Sequence, residues 1–300
     1  MEKPDSTIAD REYLAGDDLG KLGFLLDSSS FFYRRHPHQG LRSHIFEILS
    51  AKDVDTESVG QMDPDLGIRL YPRARPRYML RILRKRFTAL DDVLEEVRLY
   101  KLILHYLGPD FIALSTECIV ECQGEEKAKI MLCGVQEYVS GVKISPWNLT
   151  GRHPLATCFE TTCRTRGELA DRVARATGSV AIFINRIRRM IAEVGYIPDI
   201  AGNGNLIVTP SGKIKIVDIN NVVPVRFDES IFLDDRGYPA CDKAIEALSL
   251  FERKIVGSTK FLPDGLYQHF LAPERVDKVN RVAEQFHQKF RDPGSWQSPA

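Results

Sequence analysis

What this chain of 300 residues lacks rules out several classes of protein. No apolar run is long enough to span a bilayer, so no membrane span is expected. The start, Met1-Glu2-Lys3-Pro4-Asp5, has no apolar core of the signal-peptide kind, which points to a cytoplasmic protein. Six cysteines, at 118, 122, 133, 158, 163 and 241, form no C-x-x-C pair. A chain this large needs no disulfide staples, so they read as reduced thiols, with Cys118 and Cys122 on one face of a strand. Net charge is also missing: Lys+Arg and Asp+Glu are 41 each. The whole chain therefore has no pull toward nucleic acid or anionic lipid, and no nucleic-acid partner is expected. Internal repeats are absent too.

What is there fits an ordinary globular protein, with 43% hydrophobic and 27% charged residues. The length suffices for one large domain or two small ones. The charge is unevenly spread. Arg69, Arg73, Arg75, Arg77, Arg81, Arg84, Lys85 and Arg86 follow one another with no acid between them. They read either as a solvated edge hairpin or as an anion site. His36 and His38 make an H-x-H on a polar loop, with no third ligand of suitable type nearby for a metal.

Residues 1–42 are polar and marked by Gly and Ser, and read as an extension with little regular structure. Strand-like material follows at Ser43–Leu49, then an acidic loop from Lys52 to Asp65. Leu66–Tyr71 and Tyr78–Leu83 read as two strands joined by a basic turn. Val93, Val97, Tyr100, Leu104 and Leu107 recur at helical spacing, and Gly108-Pro109 ends that helix. Glu96 falls on the same buried stripe, where a carboxylate needs a cationic partner. Strands over Ala113–Glu121 and Lys129–Val135 flank a turn at Gln123–Glu126. A long helix over Glu168–Val194 presents Leu169, Val173, Val180, Ile184, Ile187, Ile191 and Val194, with Gly195 as its stop. Two more helices use Ala244, Leu248, Phe251 and Ile255, and Val276, Val279, Val282, Phe286 and Phe290. The order predicts an α+β chain in two lobes: a sheet with one helix over 43–136, a mostly helical part over 137–290, and a frayed tail over 291–300.

The segment from Tyr196 to Asn220 carries the chemistry. Asp199 and Asn205 lie on a loop, a hairpin turns at Pro210-Ser211-Gly212, and Asp218 stands at its far end. Ile214, Ile216 and Asp218 share a parity, which predicts an inward Asp218 near Asn205. An Asp, Asn, Asp set supplies what a magnesium-nucleotide site needs: one carboxylate to orient a nucleophile and two oxygen ligands.

With these residues in order, the chain resembles the protein-kinase-like fold, including its small-molecule and lipopolysaccharide-core kinase branches, over Ser43 to Val256. The resemblance implies ATP and Mg2+ as cofactors. It implies that Asp199 orients a substrate hydroxyl, that Asn205 and Asp218 hold the metal, and that Arg81 stands where a phosphate-binding lysine is expected, paired with Glu96. Gln136–Gly141 looks like the hinge between the lobes, with Glu137 and Tyr138 on the adenine. The chain departs from the pattern in having no G-x-G-x-x-G, an arginine for the lysine, Asp199 and Asn205 six positions apart rather than five, and Asp218-Ile219-Asn220 for DFG. Two readings follow. One is an atypical phosphotransferase acting on a hydroxyl of a protein or small molecule. The other is a pseudokinase, a nucleotide-binding or regulatory module that engages a protein partner without catalysis.

Overall fold

The computed structural model describes Leu19, Leu22 and residues 30–122, 129–257 and 265–291. The turn expected at Gln123–Glu126, most of the 1–42 extension and the tail beyond Arg291 lie outside the described residues. The architecture is α+β: a five-stranded antiparallel sheet, smaller sheets and several helices. The chain divides into two compact units. One takes the described residues up to Arg98 together with Ala113–Tyr138; the other takes Leu99–Ile112 and the described residues from Val139 on.

The first unit holds β1 (Phe31–Arg35), β2 (Ser43–Ser50), α1 (Ala51–Val59), β3 (Gln61–Asp63), β4 (Ile68–Leu70), β5 (Tyr78–Leu83), the start of α2 (Leu90–Leu107), β6 (Ser115–Cys122) and β7 (Lys129–Glu137). Its large sheet runs β1-β2-β5-β7-β6, antiparallel throughout. Alternation along the strands sorts the side chains onto two faces. Phe46, Ile48, Leu80, Ile82, Met131 and Cys133 pack on one, with Leu19 and Leu22 against them. Leu83, Ile130 and Leu132 pack on the other with Phe87 and Val93. A fully buried side chain of this size contributes about 1.5–3 kcal/mol.

Three expectations are corrected in this unit. Phe31–Arg35 lies within the supposed irregular extension, yet it is an edge strand paired with β2 through Tyr33↔Ile48. The acidic loop from Lys52 contains α1, which buries none of its residues. With no buried face it has no apolar periodicity to detect. Residues 68–70 pair with Gln61–Asp63 rather than with β5, so the hairpin closes on the N-terminal side.

The second unit holds the end of α2, β8 (Val142–Ile144), α3 (Arg166–Val194), β9 (Tyr196–Pro198), β10 (Leu206–Val208), β11 (Ile214–Ile216), β12 (Val222–Pro224), α4 (Ala240–Phe251), α5 (Gly265–Phe270) and α6 (Pro273–Arg291). Helix α3 starts at an N-cap, Thr165, whose hydroxyl accepts from the Glu168 N–H at 3.1 Å. It ends at Gly195, whose φ of 69° is the left-handed conformation a C-cap requires. Ala176, Val180, Phe183, Ile184, Ile187 and Ile191 form its buried stripe; Val194, expected in that stripe, is exposed. The stripe packs into a core shared with Tyr100, Ile103 and Leu107 of α2 and Ala244, Ile245 and Leu248 of α4. β10 stands between β11 and β8, and β9 pairs with β12. A buried ion pair, Arg275–Asp242, ties α6 to α4, and a part-buried one joins Arg188 of α3 to Glu252 just past the end of α4. Among the described residues no helix is long and apolar enough to cross a membrane, and the described cysteines, at 118, 133, 158, 163 and 241, are free thiols.

Candidate functional site

The loop after β9 is built on Asp199. The β9–β12 pairing brings Val222 opposite Pro198, and the Asp199 N–H continues that ladder to the Asn221 carbonyl at 2.7 Å. Asp199 Oδ1 then accepts from the N–H groups of Ala201 (3.0 Å) and Gly202 (3.1 Å), and Oδ2 accepts from Asn221 Nδ2 (2.9 Å). This is the local turn an Asp after a strand makes with its own backbone. Asn205 closes the loop. Its Nδ2 donates to the Asp199 carbonyl at 2.9 Å, and its own carbonyl accepts from Val217 N–H at 2.8 Å. Gly202 makes room for that amide: a Cβ there would lie 2.3 Å from Asn205 Nδ2. Trp147 Nε1 fastens the loop from outside by donating to the Ala201 carbonyl at 2.9 Å.

Both Asp199 and Asn205 are buried. Burial pushes the Asp199 carboxyl above its ordinary value, and nearby Asp218 pushes it further; the N–H donors of Ala201, Asn221 and Gly202 act the other way. Tyr238 also faces this carboxylate. Its phenol is held protonated by burial, with Asp199, Glu246 and Asp234 adding to the effect.

Asp218 overturns the inward reading: it is exposed, and Ile219 beside it is the buried residue. β11 ends at Ile216, so the two-residue alternation does not reach position 218. Its place is still next to the loop, one residue past the Val217–Asn205 bond. Asp199, Asn205 and Asp218 are therefore brought together. Two residues after Asp218, the Asn220 side-chain oxygen is buried without a hydrogen-bond partner.

Two carboxylates that repel and the Asn205 amide, whose nitrogen is already used, are oxygen donors that would suit a hard cation such as Mg2+. No group of three or more His, Cys, Asp or Glu is gathered for a metal among the described residues. A metal here would draw on amide oxygens besides the two carboxylates.

The expected Arg81–Glu96 pair does not form. Glu96, at the start of α2, bonds Lys85 Nζ at 3.2 Å. Arg81 is buried, and its Nη2 donates to Glu117 Oε1 at 2.9 Å, with Ser115 Oγ at 3.4 Å. Sheet register explains the exchange of partners. Arg81 lies opposite Gly134, and Gly134 opposite Glu117, so the side chains of β5 and β6 meet on one face above a residue with no side chain. The basic stretch is thus divided: Arg69, Arg73, Arg75 and Arg77 are exposed, whereas Arg81 is buried. Of the two residues expected at adenine, Glu137 has its N–H on the Leu114 carbonyl at 2.7 Å, and Tyr138 follows the end of β7. His36, half of the H-x-H, binds Glu47 through Nδ1 at 2.9 Å.

Sequence reasoning missed Glu117, Gly134, Asn221 and Tyr238. Gly134 inside an apolar strand was the visible sign of a close approach. Glu117 and Asn221 depend on which strands pair and in what register, and Tyr238 lies in a loop that carries no periodic signal. The chain matches no protein-family model and no curated protein.

Proposed function

We propose that the protein is an atypical ATP- and Mg2+-dependent phosphotransferase acting on a hydroxyl, its two units corresponding to the lobes of a protein-kinase-like fold. The observation that carries the reading is the Asp199–Asn205–Asp218 cluster: two carboxylates close enough for one to raise the other's proton affinity, beside an amide fixed by the Asp199 backbone. Asn205 and Asp218 hold the metal, and bound Mg2+ supplies charge neutralisation for the phosphates. Asp199, fixed by three hydrogen bonds and with raised proton affinity, orients the acceptor hydroxyl and takes up its proton.

The pseudokinase reading draws on the same bonds. Both Asp199 oxygens are already engaged, and the Glu137 N–H is committed to Leu114. A thermal-shift assay with ATP or ADP, with and without magnesium, tests the site on wild type and Asp218→Asn. A magnesium-dependent shift that Asp218→Asn abolishes is expected. No shift in wild type would sink both readings, and binding of ADP without phosphate transfer to any sugar, lipid or protein would favour the second.

A further inference from the structure

We propose that the β3–β4 ribbon and the arginines that follow it form a docking surface for an acidic protein segment, one that lies extended and carries aliphatic side chains between its carboxylates. The surface lies wholly in the first unit and does not rest on the nucleotide reading. Among the described residues β3 and β4 pair with each other and with no other strand, so the ribbon keeps open edges. Cross-strand partners share a face, which puts Ile68 and Leu70 on one side with Asp63 and Gln61, and Met62 on the other with Arg69. Neither face is covered. Met62, Leu66, Ile68, Leu70 and Tyr71 are 46–69% exposed. A single exposed apolar side chain means little, but this many along one short ribbon make a patch of the kind that marks an interaction site.

Charge selects the partner. Arg69, Arg73, Arg75 and Arg77 are exposed, and among the described residues none of them is in an ion pair. The segment that carries the last three is fixed in place. Ala74 is buried; its N–H donates to Glu57 Oε2 at 3.2 Å and its carbonyl accepts from Arg34 Nη2 at 3.1 Å. The Arg77 N–H donates to the Ile48 carbonyl at 2.9 Å. Pro72 and Pro76 bias the residues before them toward extended backbone. Exposure alternates accordingly: Arg73 out, Ala74 in, Arg75 out, Pro76 half-buried, Arg77 out. Cations at every second position of an extended chain stand about 7 Å apart, the spacing of carboxylates at every second residue of an extended partner. Two acids of this region are already engaged. Glu57 bonds Arg34, and Asp63 Oδ1 accepts from the N–H groups of Asp65 and Leu66. A nucleic-acid strand would answer the arginines but not the aliphatic patch beside them, whereas an acidic segment with alternating aliphatic residues answers both.

Fluorescence anisotropy of labelled peptides against the full-chain protein tests the surface. One probe alternates glutamate and leucine; the other has serine for leucine and the same charge. Wild type is expected to bind the first at least about tenfold more tightly than the second, the worth of a few buried aliphatic groups. Arg73→Glu, Arg75→Glu and Arg77→Glu combined are expected to weaken it at least about tenfold. The urea midpoint should stay at the wild-type value, since all three side chains are exposed. Arg98→Glu, exposed on the same unit, should change binding by less than about twofold. Equal binding of the two peptides overturns the proposal, because charge alone then suffices. So does a triple variant that binds as wild type does. Tighter binding of an oligouridylate or of phosphatidylserine vesicles also overturns it, by assigning the surface to RNA or to a membrane. Wild type that binds neither peptide overturns it whatever the protein does with nucleotide.

Discussion

Replacing Gly134 by alanine pits two effects of opposite sign against each other. Gly134 does not have a positive φ, so alanine can adopt its backbone conformation. In an ordinary strand the exchange would stabilise by about 0.5–1 kcal/mol, because glycine loses more freedom on folding. Here the new methyl would meet three polar atoms at 2.7–2.8 Å. All three sit at the ends of side chains, which usually yield cheaply. These cannot: Arg81 and Glu117 are buried and hold each other at 2.9 Å, so moving one breaks the pair. Breaking a buried pair costs about 3–5 kcal/mol. Less the backbone gain, the net loss is about 2–4 kcal/mol. Urea unfolding followed by circular dichroism reads this directly. A variant as stable as wild type, or more so, would falsify the claim that the pair closes over position 134. The cost should shrink by at least about 1 kcal/mol in a Glu117→Ala background, where one of the three contacts is gone.

The pH dependence has two contributions of opposite sign. His44 is buried and neutral, its pKa lowered to about 4 by burial, with Arg84, Arg86 and Arg35 adding to the effect. The unfolded chain binds that proton more readily, so stability is lost as pH falls from about 6.5 toward 4. His44→Leu should flatten this part of a pH series of urea midpoints; an unchanged slope would refute it. Asp199 works the other way. Its folded pKa is raised, so its carboxylate costs stability above that value and the cost is relieved as pH falls through it. Asp199→Asn should lose phosphate transfer and should remove the gain in stability seen as pH falls through the raised Asp199 pKa; an unchanged pH slope would contradict the burial argument. Asp218→Asn, on an exposed residue, should leave the urea midpoint within about 0.5 kcal/mol of wild type while abolishing the magnesium-dependent nucleotide shift.

Elements with a wide apolar stripe and a chemical stop were legible in the sequence. Helix α3 announces itself through Val180, Ile184, Ile187 and Ile191 and through Gly195, and α2 through Val93, Tyr100 and Leu107 before Gly108. Helix α1 was not legible, because nothing on it is buried. The chemistry divides in the same way. That Asp199, Asn205 and Asp218 would lie near one another followed from their places around one hairpin. Which way Asp218 faces depended on β11 ending two residues earlier than the alternation suggested. The partner of Arg81 depended on which strand lies two places away in the sheet. Spacing along the chain favoured Glu96, whereas the interposed β7 brought Glu117.

Strand order has a further consequence, for synthesis of the chain. β7 is the last strand of the large sheet to be made, yet it lies between β5 and β6. Until Lys129–Glu137 emerges, β5 presents an unpaired edge of hydrogen-bonding groups, and β6 has no ladder at all. Helix α2, made in the interval, packs on the face of β5 through Val93 and leaves that edge uncovered. The nascent sheet is therefore most open to pairing with other chains between the synthesis of its third strand and its fifth, and one nine-residue segment closes both gaps at once.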